Sequence, residues 1–267
     1  MRPRLNFPAL ALLIAATVLF AYLRGLNDPK FSGISSIGDG GVYGIALGWC
    51  WVSSIIRNRW ARFGTLTLIA CTFALLLSES SRDEHDWLRY ATQLGGMIVT
   101  QSVLFHVFKV PHWQWNTGSP MNESAESGAT TQFRILDVMM VTLAYGVLMG
   151  LARHYLPPFA LQDYWPTAVV ISLYFPLMAM LVAHSGAAGK QRYRYMRLVS
   201  ICLLVAIGAA ALSWIQAQTF SLSLDQAKVL FVLNILSGVG FVVAVAFFPL
   251  AGVFGQLTRR PDLPREG

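Results

Sequence analysis

The fold this sequence predicts is all-α: a polytopic transmembrane bundle of about eight helices with both termini cytoplasmic. Three observations lead there. The 267 residues are 55% hydrophobic and only 12% charged, against about 25% charged residues in a soluble domain. Uncharged runs close to the ~20 residues that cross a hydrocarbon core about 30 Å thick recur along the chain. Fourteen of the twenty Lys and Arg residues fall in every other gap between those runs, the bias that holds short loops on the cytoplasmic side.

The eight runs are residues 5–23, 40–56, 63–78, 90–108, 135–152, 166–184, 198–217 and 229–251. The first follows Met1-Arg2-Pro3-Arg4 and imitates a signal peptide, but Tyr22-Leu23-Arg24 has no small-x-small cleavage site, so a retained anchor is expected. The third is the shortest, with sixteen residues between Arg62 and Glu79. It must thin the bilayer or let Arg59 and Arg62 snorkel; without it the count falls to seven. Between the fourth and fifth runs lies a polar stretch containing Asn116-Thr117-Gly118-Ser119-Pro120 and a Ser, Glu, Gly and Thr-rich segment that buries little apolar area. The chain therefore divides into a first membrane half (residues 1–108, four spans), a flexible cytoplasmic linker (109–133), and a second half (134–267, four spans) ending in a short polar tail. No motif recurs between the halves, although the charge pattern is compatible with a parallel repeat.

Orientation follows from the basic residues. The inner segments hold Arg2 and Arg4; Arg57, Arg59 and Arg62; Lys109 and Arg134; Lys190, Arg192, Arg194 and Arg197; and Arg259, Arg260 and Arg265. The outer segments hold six basic residues against eight acids, among them Asp28, Asp39, Asp86 and Asp225. A formal charge of +7 could mark a nucleic-acid binder. Its confinement to five short segments on one face instead points to anionic lipid headgroups of the inner (cytoplasmic) membrane, and no nucleic-acid partner is expected. Trp60, Trp87, Trp113, Trp115 and Trp165 stand at predicted boundaries, where an amphipathic ring is favoured.

Candidate functional residues are uncharged. Gly40, Gly44 and Gly48 repeat every four residues, giving a helix face on which another backbone can pack closely; Gly146 and Gly150 could supply a second. Gln93, Thr100 and Gln101 share a helical stripe, and Asn234 and Ser237 form a second polar spot. These residues either hydrogen bond between helices, at about 0.6 kcal/mol each, or line a polar cavity. Pro176, near the middle of the sixth run, removes a helical donor from the Ser172 carbonyl and predicts a kink. Asp137, the one carboxylate within a run, is three residues from Arg134, so the two form an interfacial ion pair on one helix face. His106 and His184 lie close to the same boundary. With no acid near the midplane, a proton relay is not expected.

Several chemical motifs fail on inspection. Ser81-Arg82-Asp83-Glu84-His85-Asp86 is rich in donors but lacks the spacing of helical metal ligands. Gly186-Ala187-Ala188-Gly189-Lys190 has His184 where a phosphate loop needs its first glycine, and Gln191 where it needs Ser or Thr. Cys50, Cys71 and Cys202 have no CxxC spacing and read as small core residues. No catalytic signature is present, and no catalytic residue, cofactor or metal site is predicted.

The run from Gln132 to Tyr155, QFRILDVMMVTLAYGVLMGLARHY, resembles a segment of uncharacterised multi-span membrane proteins of planctomycete bacteria. Gln132, Phe133, Asp137, Thr142, Leu151 and Arg153 carry the resemblance. The family's usual basic residue before the apolar run is replaced by Leu136, with Arg134 two positions earlier. The resemblance covers this one helix and implies a bacterial multi-pass membrane protein, with no activity attached. The expected function is that of a non-enzymatic membrane scaffold or assembly subunit with a membrane protein partner. The alternative is a permease for a small polar or amphiphilic solute, built on Gln93, Gln101, Asn234 and the Pro176 kink.

Overall fold

The computed structural model describes residues 7–26, 29–53, 59–78, 86–107, 113–116, 158–186, 191–250 and 256–259, and the helical residues 139, 142, 143, 145–147, 150 and 154. Its regular structure is α-helical apart from one short pair of strands. The helices with defined bounds are α1 (Phe7–Arg24), α2 (Ser32–Ser53), α3 (Arg59–Ser78), α4 (Asp86–Val107), α5 (Pro158–Gly186), α6 (Gln191–Thr219) and α7 (Leu224–Leu250). A 3-10 turn, Pro29–Phe31, leads into α2. Two helices are long and apolar enough to cross a membrane, over Leu198–Thr219 in α6 and Leu224–Phe247 in α7. Shorter apolar stretches occupy Ala11–Arg24, Gly64–Ser78 and Pro166–Val182.

Helix α2 is the centre of the bundle, packing on α1, α3 and α7 and touching α4 and α5. Its glycines permit this. An added Cβ at Gly44 would lie 2.8 Å from both the Ala244 Cβ and the Phe241 carbonyl oxygen, and the bare face of Gly41 receives the Phe20 ring from α1. A column of rings ties α2, α5 and α7 together: Tyr43 stacks on Phe175 at 5.3 Å between centroids, and Phe175 stacks on Phe241 at 4.4 Å. Offset ring pairs of this kind add about 0.5–1.5 kcal/mol beyond the area they bury. On α6, Met196, Leu203, Ile207 and Trp214 are exposed while Ile201, Val205, Ala209 and Leu212 are buried. One stripe of α6 thus packs on the bundle, and the other is an apolar surface of the kind that lipid covers.

Several boundaries differ from the sequence reading for local reasons. Helix α2 begins eight residues before Gly40 and takes in Asp39, which the sequence reading left in an outer loop. Asp39 is held there by an ion pair with Arg24 at the end of α1. Helix α3 is 20 residues long, four more than the charge-free run, because Arg59 and Arg62 lie within it. Helix α5 starts at Pro158, so Pro166 is internal to it along with Pro176. Cys50 is buried, but Cys71 and Cys202 are exposed and are not the core residues expected.

The α6–α7 hairpin is closed by two caps. Ser221, with φ 50°, takes the left-handed position after α6, and Leu222 N–H bonds the Ala217 carbonyl (3.0 Å) while Ser221 N–H reaches Gln218 (3.5 Å). Ser223 and Gln226 then cap α7 reciprocally, Ser223 N–H donating to Gln226 Oε1 (2.9 Å) and Gln226 N–H to Ser223 Oγ (3.4 Å). Within the stretch read as a flexible linker, Trp113–Asn116 forms strand β1, which pairs antiparallel with β2, Gln256–Arg259.

Candidate functional site

The polar residues inside the bundle fall into three groups. In the first, the Tyr43 hydroxyl of α2 donates to Gln93 Oε1 of α4, and both side chains are buried. In the second, Asn234 of α7 donates through Nδ2 to Ser213 Oγ (2.9 Å) and to Gln216 Oε1 (3.0 Å) on α6. Ser213 Oγ itself donates to the Ala209 carbonyl at 2.7 Å, so it is free to accept from Asn234. These two groups are hydrogen-bonded clamps between helices with separate partners.

The third group lies along α4 and α5. Gln101 is 3% exposed, and neither atom of its carboxamide has a hydrogen-bond partner among the described residues. Ser172, midway along α5 and 8% exposed, has an equally unpartnered Oγ. That oxygen packs on Gly96 of α4, where a Cβ would also lie 3.2 Å from the Tyr145 hydroxyl. All of these groups are neutral. They can exchange hydrogen bonds with an uncharged molecule, but they offer no nucleophile with a paired base.

The remaining residues singled out from the sequence have plain structural settings. Thr100 is half-buried on α4. Ser237 contributes its backbone, against which Gly40 packs, and Gly240 packs in return on the Ile37 backbone. Gly48 is buried on the same helix as Gly40 and Gly44. Around the Cβ positions of Gly146 and Gly150 there is open space, so among the described residues these two make no second packing face. Pro176 is buried within α5. Arg134 and Asp137 lie outside the described residues, as do Gln132, Phe133, Leu151 and Arg153 of the resemblance.

Sequence reasoning missed Tyr43, Gly96, Tyr145 and Gln216, and of Ser172 it singled out the carbonyl but not the hydroxyl. Ser172 carried a signal, standing four residues before a mid-helix proline. Gln216 carried none, since only the α6–α7 packing brings it to Asn234.

Outside this core, Arg24 ties three helix ends together. Its guanidinium pairs with Asp39 on α2 and reaches the Leu77 carbonyl of α3 (3.3 Å), while its own carbonyl accepts from Ser35 Oγ (3.2 Å). Gly38 must be glycine here, because a Cβ would lie 2.8 Å from Arg24 Cα. No family model, curated protein or solved structure matches the chain.

Proposed function

We propose that this chain is a multi-pass protein of the bacterial inner membrane, with eight spans and both termini cytoplasmic, that acts as a non-enzymatic scaffold or assembly subunit. The observation that carries the reading is the α2–α7 interface. Gly40, Gly44 and Gly240 bring two backbones into direct contact, which favours a closely packed centre over a passage between these helices. Gln93 and Asn234 are each engaged by a neighbouring helix. A permease built on their convergence would instead need both free to face a solute.

Orientation is supported by the inside-positive charge pattern, and an even number of spans after the linker by the strand pairing. With four spans between them, β1 and β2 fall on the same side of the membrane, as their hydrogen bonding requires. Anionic headgroups on the cytoplasmic face are the lipid partners, and a second membrane protein is the expected cargo of the scaffold. Gln101 keeps the permease as a second reading, since its buried carboxamide is unengaged.

Native mass spectrometry of the protein taken from its own membranes in mild detergent tests the first reading. A second protein subunit in fixed stoichiometry is the expected result. Solute uptake into proteoliposomes that Gln101→Leu abolishes would replace the scaffold with the permease.

A further inference from the structure

The hydroxyl of Ser172 departs from the commonest arrangement of helical hydroxyls in this bundle. Those of Thr17, Ser36, Thr65, Ser102, Ser200 and Ser213 each fold back on the carbonyl four residues earlier, at 2.7–3.0 Å. Ser172 has the Ala168 carbonyl available in the same way, yet its Oγ makes no hydrogen bond and is directed onto Gly96 of α4. A hydroxyl without a partner in a dry interior is costly, so this rotamer needs a compensating contact. Two neighbouring features supply the surroundings for one. Pro176 has no N–H to give the Ser172 carbonyl, which leaves an acceptor on the same residue. The Tyr145 hydroxyl approaches the same bare face of Gly96 and is not bonded to Ser172.

We propose that Ser172 and Tyr145, over the bare face of Gly96, form a binding site for one neutral hydroxyl oxygen. Such an oxygen both donates and accepts, which matches two hydroxyls that can each do either. A carboxylate or an ammonium group is excluded by the lack of any charged side chain among the described residues named at this site. The oxygen has two sources, a water molecule or the hydroxyl of a lipid headgroup or glycerol. Tyr145 is half-buried and its neighbours Leu143 and Val147 are exposed, so the lipid route enters past Tyr145. The bound oxygen joins α4 and α5 to the Tyr145 segment one helical turn before Pro176. This inference does not depend on the scaffold reading.

The test is a double-mutant cycle on the full chain in detergent, read by thermal unfolding. Ser172→Ala and Tyr145→Phe should each lower Tm by about 2–4 °C. The double variant should fall no further than the more severe single variant, because both remove the same bridged oxygen. A Ser172→Ala variant as stable as the parent, or two effects that simply add, would overturn the site. High-resolution cryo-electron microscopy of the parent gives the second measurement and separates the sources. An isolated peak between the two hydroxyls marks water, and density continuing past Tyr145 into an acyl chain marks lipid. A Ser172 hydroxyl turned back to the Ala168 carbonyl with no intervening density would also overturn it.

Discussion

Gly40 of α2 lies against the backbone of Ser237 on α7, so closely that a Cβ added to Gly40 would stand 2.9 Å from Ser237 Cα and nearer still to its carbonyl. Gly240 repeats the relationship against Ile37 from the other side, with a Cβ at 3.0 Å from Ile37 Cα. Because the obstruction is backbone on both sides, no rotamer change can relieve it. In a membrane, where lipid is as apolar as leucine, this closeness is what makes one helix prefer another to its solvent.

Gly40→Ala and Gly240→Ala should therefore each destabilise the bundle by about 1–3 kcal/mol, the usual cost of overpacking, or prevent assembly. Gly64→Ala is the control. Open space surrounds its Cβ position, and an exposed helical glycine gains about 0.5–1 kcal/mol on becoming alanine. Thermal unfolding in one detergent should separate the two classes by sign.

Asn234→Leu removes two hydrogen bonds to α6 and should cost about 1–2 kcal/mol, near the upper end for polar pairs within membranes. In a cycle with Gln216→Leu the two changes should be strongly non-additive. Additive losses would mean that Asn234 and Gln216 do not bond.

Arg24→Ala frees the ends of α1, α2 and α3 together and should lower stability by about 1.5–3 kcal/mol, the scale of charge-assisted hydrogen bonds. Arg24→Lys should restore only part of this loss. A lysine keeps the charge that faces Asp39, but its single ammonium cannot reproduce the fork that spans Asp39 and the Leu77 carbonyl.

Ser221→Gly should raise stability by about 0.5–1 kcal/mol, because Ser221 occupies a left-handed conformation that glycine adopts without strain. Ser221→Val should do the reverse. Equal unfolding temperatures in the three proteins would show that the turn is not formed as described.

The helices were legible because apolar run length is a one-dimensional property: α1 and α4 begin and end within about four residues of the runs that predict them, while α6 and α7 end within about two residues of their runs but start about seven and five residues earlier. The start of α2 was not, since Asp39 reads as a loop acid until Arg24 arrives from another helix to pair with it. The α7 cap was legible and overlooked: Ser223 followed three residues later by Gln226 is a capping-box pattern. At the candidate site, helical spacing identified Gln93 and Asn234 as inward-facing. Their partners, Tyr43 and Gln216, depend on which helices meet, and no spacing rule within one helix contains that. The Gly146 and Gly150 repeat illustrates the converse, a pattern suited to packing with no described neighbour to use it.

Reporter fusions along the chain test the eight-span, inside-positive account most directly. Fusions after Arg62 and after Arg197 should report cytoplasm, and a fusion after Asp86 should report the exterior. A reversed pattern, or cytoplasmic signals at all three positions, would contradict the account.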